Sequence, residues 1–198
     1  GATRSAITAN VARRLGIAPG LSPPVMLRGV TGSAVAQTID VDSMAVGDLY
    51  VAPARLPIVA DAFGGAEGLL GTIGMENLRI FVDFRNDFIN LSQSRNRRAG
   101  TGFQSVPFRE NPLKLLVIDA RIGNMDVQAI LDTGAQSSMG NLALRDALAR
   151  QVRRNRIGVD EITGATGDMQ TGTGARISPL TIAGLEIRDV HVTFGDMH

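Results

Sequence analysis

Hydrophobic and polar residues alternate over short distances along most of the chain, a pattern typical of half-buried β-strands. The first part contains three such segments, the first of them folded back on itself around 29–32: residues 25–42, 46–52 and 56–59. The sequence RIFVDFRNDFINL then predicts a hairpin that turns near 85–87. In the second part, LKLLVIDARIGNMDVQAILD predicts two strands joined at Gly123 and Asn124, and residues 158–194 continue the strand pattern.

Two stretches have the spacing of a short amphipathic helix instead. They are Thr8–Leu15 and, in the second part, about Asn141–Val152, where Leu144, Leu148 and the final valine share one face. Each stretch begins with a residue that caps helix N-termini well, a threonine in the first and an asparagine in the second. Because glycine is abundant, with 23 residues, and helical patterns are few, we predict a mostly β protein.

The chain also repeats itself. Gly1–Ser5 (GATRS) aligns with Gly134–Ser138 (GAQSS), 133 residues later. Three further matches keep the same order while the offset grows to 137 residues: Thr8 with Asn141, Thr31-Gly32 with Thr166-Gly167, and Gly47 with Gly184. Short loop insertions would produce this drift, so the matched order predicts an internal duplication.

The duplication divides the chain into two lobes, residues 1–91 and residues 106–198. Between them, residues 92–105 read SQSRNRRAGTGFQS, with three arginines and little apolar content. Such a composition is typical of an exposed linker.

Composition excludes several kinds of chemistry. The chain has no cysteine and two histidines, which excludes disulfides, cysteine-ligated zinc and a site of several histidines. The net charge of +1 argues against non-specific nucleic-acid binding, and the arginines of 145–156 are read as a solvated helix face. No apolar run approaches the about 18 residues that a membrane span needs. Chemistry must therefore come mainly from carboxylates, hydroxyls and backbone, with no metal and no cofactor.

The segment VQAILDTGAQSS, residues 127–138, carries the candidate chemistry. An apolar strand ends at Asp132, and a tight turn formed by Thr133, Gly134 and Ala135 follows. An isolated Asp-Thr-Gly tripeptide is commonly a solvated turn. Here an apolar hairpin precedes it, a capped helix follows it, and the other half of the chain opens with a matching turn, so Asp132 is the candidate catalytic residue.

These residues resemble the retropepsin-like aspartic proteases, in particular bacterial proteins that carry two such lobes on one chain. The family pattern is an apolar strand, Asp-Thr-Gly-Ala, a flap hairpin, and then two apolar residues followed by glycine. The second lobe has the first part at Ile130–Ala135, and the first lobe has the last part at Leu69–Gly71. The resemblance implies two acid-protease β-barrel lobes about a pseudo-twofold axis, and an aspartic endopeptidase that acts on extended polypeptide segments without a cofactor.

The resemblance also implies roles for single residues. Asp132 would be one of two carboxyls that share a proton, so that one activates water and the other hydrogen-bonds the scissile carbonyl. Thr133 would link the two loops across the lobe interface, and Gly134 would leave room for backbone amides beside the carboxylate. Substrate contacts are expected at Ala135 and at two flap tips, within 29–33 and 164–168: Gly29, Val30, Thr31, Gly32, Gly164, Ala165, Thr166 and Gly167.

The sequence departs from the family pattern at both ends. The first-lobe aspartate would fall two residues before Gly1, and the chain stops at His198, about where the second lobe should enter its own apolar-apolar-glycine segment. We expect a longer chain to complete the pair of aspartates, and the chain as it stands to be inactive as a monomer. Two alternatives are that the first lobe has lost its aspartate, or that Asp132 pairs with its equivalent across a homodimer.

Two other functions remain open on the sequence. One is a non-catalytic peptide-binding or dimerisation module with the same fold, which an Asp-Thr pair directly before Gly1 would disfavour. The other is a β-rich ligand-binding protein with a chance Asp-Thr-Gly, in which case the two halves would differ in topology. We further expect a monomer that takes a protein or peptide substrate and no nucleic acid. We expect export to the periplasm, with a cytoplasmic location left open.

Overall fold

The computed structural model describes residues 2–18, 20, 22–47, 49–51, 54–60, 65–75, 77–95 and 100–197. These residues form many short strands and three short helices. The elements of the first half are β1 (Ala6–Thr8), α1 (Ala9–Arg14), β2 (Ser22–Gly29), β3 (Gly32–Val41), β4 (Met44–Val46), β5 (Leu49–Val51), β6 (Ala54–Val59), β7 (Gly68–Leu69), β8 (Leu78–Asp83) and β9 (Phe88–Gln93).

The second half has the same kind of composition. Its elements are β10 (Phe108–Glu110), β11 (Leu116–Ile122), β12 (Met125–Ile130), β13 (Ser138–Gly140), α2 (Leu142–Ala147), α3 (Ala149–Arg154), β14 (Arg156–Thr163), β15 (Met169–Ile177), β16 (Leu180–Ile182), β17 (Leu185–Ile187) and β18 (Val190–Phe194). The prediction of a mostly β protein is confirmed.

The two halves share one topology. The main sheet of the first lobe has the strand order β2-β3-β6-β1-β7, and that of the second lobe has the order β14-β15-β18-β13. In both sheets a long hairpin, β2–β3 or β14–β15, leads into a strand that pairs in parallel with the strand before the helix, β6 with β1 and β18 with β13. A ligand-binding protein with two unrelated halves is therefore excluded.

A second sheet in the second lobe leads to the Asp-Thr-Gly turn. It has the order β10-β11-β16-β17, with β12 also paired to β11. The predicted β11–β12 hairpin is confirmed, and its turn places Gly123 at φ +58°, a conformation that glycine adopts at no steric cost.

Each lobe has a hydrophobic core of its own. In the first lobe, the buried core residues are Ala12, Ile39 and Leu56. In the second lobe, the helical segment packs on the strands, and the buried core residues are Ile122, Leu148, Val152, Ala175, Ile177, Val192 and Phe194. Leu144 packs against this core from the predicted helix face.

Three local predictions need correction. The helix expected over 141–152 is two helices, α2 and α3, separated at Leu148 (φ −97°, ψ 17°), a buried residue of the core. Asn141 caps α2 as expected, since its Oδ1 accepts the Leu144 N–H at 2.8 Å, but Thr8 makes no side-chain capping bond to α1. The single strand expected over 46–52 is the β4–β5 hairpin, because the chain turns at Gly47 (φ +58°).

The predicted hairpin near 85–87 is confirmed as β8–β9, which forms a separate two-stranded sheet. Strand β9 runs into the segment expected to be a linker, of which residues 96–99 lie outside the described part of the chain. The lobe boundaries therefore stay a prediction. Among the described residues, no helix is long and apolar enough to cross a membrane.

Candidate active site

The Asp132 turn follows directly from the end of a sheet strand. The Leu131 N–H still donates to the Leu116 carbonyl at 3.0 Å, one residue past β12. Asp132 then leaves the ladder as a half-buried residue, and the Gly134 N–H donates to its Oδ1 at 2.9 Å. The carboxylate is thus held by the backbone of its own turn.

Opposing influences act on the ionisation of this carboxyl. Partial burial of Asp132 acts to raise its pKa, because a charged group is poorly solvated away from water. Hydrogen bonds to the carboxylate, among them those from the Gly134 and Ala135 N–H groups, act in the other direction and prevail. The pKa of Asp132 therefore lies below its usual value.

The other residues of the turn have less distinct surroundings. Ala135 is half-buried, whereas Thr133 and Gly134 are exposed. A Cβ on Gly134 would lie 3.4 Å from Asp132 Oδ1, an ordinary contact, so space alone does not require glycine there. The Thr133 hydroxyl has no hydrogen-bond partner among the described residues, and its role across the lobe interface stays a prediction.

The matching loop of the first lobe, residues 2–5, is held by the apolar-apolar-glycine segment and the two residues that follow it. Gly1 itself lies outside the described residues. The N–H groups of Thr72 and Ile73 donate to the carbonyls of Ala2 and Thr3 at 3.1 and 3.0 Å. This backbone pairing fixes the loop that aligns with the Asp132 turn.

Gly71 explains why that segment contains a glycine. Its N–H donates to the Ser5 hydroxyl at 3.0 Å, and a Cβ at this position would overlap the backbone of Arg4. Glycine at this position therefore lets the segment approach the first-lobe loop closely.

The two turns expected to be flap tips contact each other. Thr31, between β2 and β3, has its hydroxyl oxygen 3.4 Å from that of Thr166, between β14 and β15. Gly164 packs so closely on Thr31 that a Cβ on the glycine would overlap the threonine hydroxyl. A Cβ on Gly29 would lie 3.7 Å from both the Ala165 nitrogen and the Thr166 Cγ2. The residues expected in the two tips thus form one contact between the lobes.

The sequence does not predict one side chain at this contact, that of Gln170. Gln170 Nε2 donates to the Asp196 carbonyl at 2.8 Å and, at 3.5 Å, to the Val30 carbonyl of the opposite turn. The residue links the second-lobe hairpin both to the end of its own sheet and to the first lobe. No sequence pattern marks it, because its partners are distant along the chain.

A second polar cluster lies on the main sheet of the second lobe. Asp160 Oδ2 accepts the Thr193 hydroxyl at 2.7 Å and lies 2.9 Å from His191 Nε2. Gly174 leaves room for these groups, since a Cβ there would lie 2.5 Å from Asp160 Oδ2. The hydrogen bond from Thr193 is the main cause that lowers the pKa of Asp160, assisted by His191.

This cluster is not arranged as a hydrolase triad. A triad places the imidazole between the acid and the hydroxyl, whereas here histidine and threonine both approach the same carboxylate oxygen. His191 is partly exposed, as expected, but its acidic partner was missed. Within the described ranges, no group of three or more histidine, aspartate or glutamate side chains could hold a metal ion.

Comparison with known protein families gives two matches, one in each half. Residues 1–77 match the family described as gag-polyprotein putative aspartyl protease, and residues 118–198 match the family described as aspartyl protease. No curated protein matches the chain. The two matches cover the two lobes separately and agree with their shared topology. The chain therefore belongs to the retropepsin-like aspartic protease family and carries one copy of that fold in each half.

Proposed function

We propose that this protein is an aspartic endopeptidase in which Asp132 is one of two carboxyls that share a proton. The observation that carries the proposal is the turn itself, in which a half-buried carboxylate at the end of β12 accepts backbone N–H groups. It lies in a lobe that matches the aspartyl protease family. Two carboxyls at about 3 Å cannot both ionise, so one would activate water while the other donates to the scissile carbonyl.

The second carboxyl has to stand opposite Asp132, at the equivalent turn of the first lobe. Residues 2–18, which contain that turn, include no aspartate or glutamate. The position that matches Asp132 in the repeat precedes Gly1 by two residues. A carboxyl supplied there would meet Asp132 if the pseudo-twofold axis relates the two turns.

The proposed substrate is an extended polypeptide segment beneath the two contacting turns. We assign substrate contacts to residues 29–32 and 164–167 and to Ala135. Hairpin tips of this kind can pair with an extended peptide through backbone hydrogen bonds, as an added strand does. Their contact supports the assignment, since both lobes would then close over one chain.

Three forms of the protein test the proposal. They are the 198-residue chain, the same chain with Asp-Thr added before Gly1, and that longer form with Asp132→Asn. Each is incubated with an unfolded polypeptide between about pH 4 and 6, near the ordinary carboxyl pKa range, and cleavage is measured by mass spectrometry. We expect cleavage by the longer form, and loss of at least about a thousandfold in Asp132→Asn.

A matched control is Asp126→Asn in the longer form, because Asp126 is an exposed residue of the same lobe that pairs with Arg121. This variant should cleave normally. Cleavage that survives Asp132→Asn would remove Asp132 from the mechanism.

A second candidate function is a peptide-binding module without catalysis. It rests on the contact between the two turns, which could hold an extended peptide without any catalytic carboxyl. In that case the longer form would bind extended peptides in calorimetry and leave them uncut.

A further inference from the structure

A group of exposed arginines lies at the end of the helical segment of the second lobe. The inner side of this segment faces the core through Leu148 and Val152, which are both buried. The outer side of α3 and the start of β14 carry four exposed arginines: Arg150, Arg153, Arg154 and Arg156. Within the described part of the chain, none of the four has an ion pair or a side-chain hydrogen bond. Their charges are therefore available to an anionic partner.

The arginines of α3 have no counterpart in the sequence of the first lobe. In the repeat, α2 matches α1 and β14 matches β2, so α3 falls opposite residues 15–20. Those residues read LGIAPG and carry no charge. The basic side chains are therefore not part of the duplicated structure, and the shared topology does not require them.

Two exposed aliphatic side chains lie beside the arginines. Val159 is 64% exposed, and Ile157, between it and the arginines along the chain, is 50% exposed. Val159 pairs with Thr173 in β15, and alternation places Thr173 on the same side of the sheet as Ala175. Because Ala175 and Val152 belong to one core, this is the side on which α3 packs. Basic and aliphatic groups thus share one side of the second lobe.

Ile157 stands at an irregularity of the sheet. The register of β14 against β15 shifts between Arg156 and Gly158, so Ile157 has no direct partner in the ladder. A bulge in an edge strand changes the direction of a side chain and is a recurrent feature of functional surfaces. Here it accompanies an isoleucine that stays half exposed next to an arginine.

The kind of apolar side chain distinguishes between anionic partners. Proteins that bind single-stranded nucleic acids combine basic residues with aromatic side chains that stack on the bases. Residues 141–163 contain no aromatic residue. An anionic lipid surface instead attracts arginines to its headgroups and admits aliphatic side chains at the boundary with the acyl chains. The combination therefore favours a lipid surface.

We propose that one face of the second lobe binds the surface of a membrane that contains anionic lipids. This basic face consists of Arg150, Arg153, Arg154, Arg156, Ile157 and Val159. The arginines contact the lipid headgroups, and the two aliphatic side chains enter the region between headgroups and acyl chains. The binding is peripheral and reversible. It goes beyond the proposed peptidase activity and involves no residue of the Asp132 turn.

Sedimentation with lipid vesicles tests the proposal on the 198-residue chain. The probes are vesicles of phosphatidylcholine alone and vesicles that also contain phosphatidylglycerol, an anionic lipid. We expect binding to the second kind alone, and weaker binding as salt is added, because salt screens charges at a surface. Equal binding to both kinds of vesicle, or binding to neither, would overturn the proposal.

Charge reversal tests the arginines. Arg153→Glu combined with Arg154→Glu should weaken binding to the anionic vesicles at least about tenfold, because each arginine near an anionic surface adds to the attraction. The matched control is Arg85→Glu combined with Arg95→Glu, which makes the same charge change at exposed residues on either side of β9. The control should bind like the natural chain. Equal weakening in both double variants would mean that net charge alone decides binding and would remove the basic face from it.

Replacement of the aliphatic side chains separates a lipid surface from a soluble polyanion. Ile157→Thr combined with Val159→Thr keeps every charge and should weaken vesicle binding about tenfold, because less apolar surface leaves water. The matched control is Leu185→Thr combined with Ile187→Thr, an exposed aliphatic pair with the same spacing in β17. It should bind vesicles normally. Vesicle binding that survives the first pair of substitutions, or tighter binding of the natural chain to duplex DNA or polyglutamate than to the vesicles, would overturn the lipid assignment.

Discussion

The glycines of this chain differ in how much space a Cβ atom would have at their positions. Gly71 lies against the backbone of Arg4, whereas Gly100 has open space where its Cβ would be. We expect Gly71→Ala to lower the free energy of unfolding by about 1–3 kcal/mol, because the loop at residues 2–5 must shift to admit a methyl group. Gly100→Ala, the matched control, should change it little. Urea denaturation measures both, and equal effects would show that the first-lobe loop is not tightly held.

Residue-scale contacts were predictable from the sequence where they are local. The bond from the Gly134 N–H to Asp132 spans two residues and belongs to the motif itself. The hydrogen bond from Gln170 to the Val30 carbonyl spans 140 residues, and no sequence pattern in either segment predicts it. The Asp160–His191 pair was missed for the same reason, because it depends on the register of β14 and β18 against β15.

At the scale of elements, the Asp160 cluster joins the long hairpin of the second lobe to the strand beyond it. The folded-state pKa of Asp160 lies below its unfolded value, so the ionised group stabilises the fold above the ordinary carboxyl pKa. That contribution is lost as the pH falls through the lowered pKa, from about pH 4 downwards.

Thr193→Val removes the main cause of the lowered pKa at nearly constant volume. We expect the variant to be less stable than the natural chain at pH 6, and to lose less of its stability between pH 6 and pH 3, as followed by thermal unfolding. Ser33→Ala, an exposed hydroxyl outside the cluster, is the control. Parallel pH profiles of Thr193→Val and the natural chain would contradict this role of Asp160.

Elements were predictable where the pattern that defines them is continuous. Alternation and the Gly123-Asn124 pair predicted the β11–β12 hairpin, and the apolar spacing predicted the buried face of the helical segment. The apolar spacing continues unchanged past Leu148, so it does not predict that α2 and α3 are separated there. The interruption falls at Leu148, whose side chain is buried in the core of the second lobe.

At the scale of the whole molecule, the two lobes meet at their hairpin tips. Gly164→Ala should part the tips, because a methyl group would overlap the Thr31 hydroxyl. We expect faster hydrogen exchange in residues 29–33 and 164–168, and recovery in the double variant with Thr31→Ala. Gly158→Ala is the control, because Gly158 lies in β14, the strand that leads into this turn, and has open space at its Cβ. Exchange that is identical in all variants would mean that the tips do not depend on this contact.

The duplication was predictable at this scale because four matches in order survive in the sequence, and the shared strand order of the two sheets bears it out. The contact between the tips was not predictable from residues alone. It depends on how two separately folded lobes face each other.

The closeness of Thr31 and Gly164 bears on how a polypeptide could enter. Under the proposed function, the two contacting turns close the site in the resting protein. A long polypeptide without a nearby end can then enter only when the lobes separate at these turns. Short peptides could slide in from the side. The rate at which long polypeptides are cleaved would then be limited by how often the two turns separate. A substitution that weakens the contact between Thr31 and Gly164 would speed cleavage of long polypeptides more than that of short peptides.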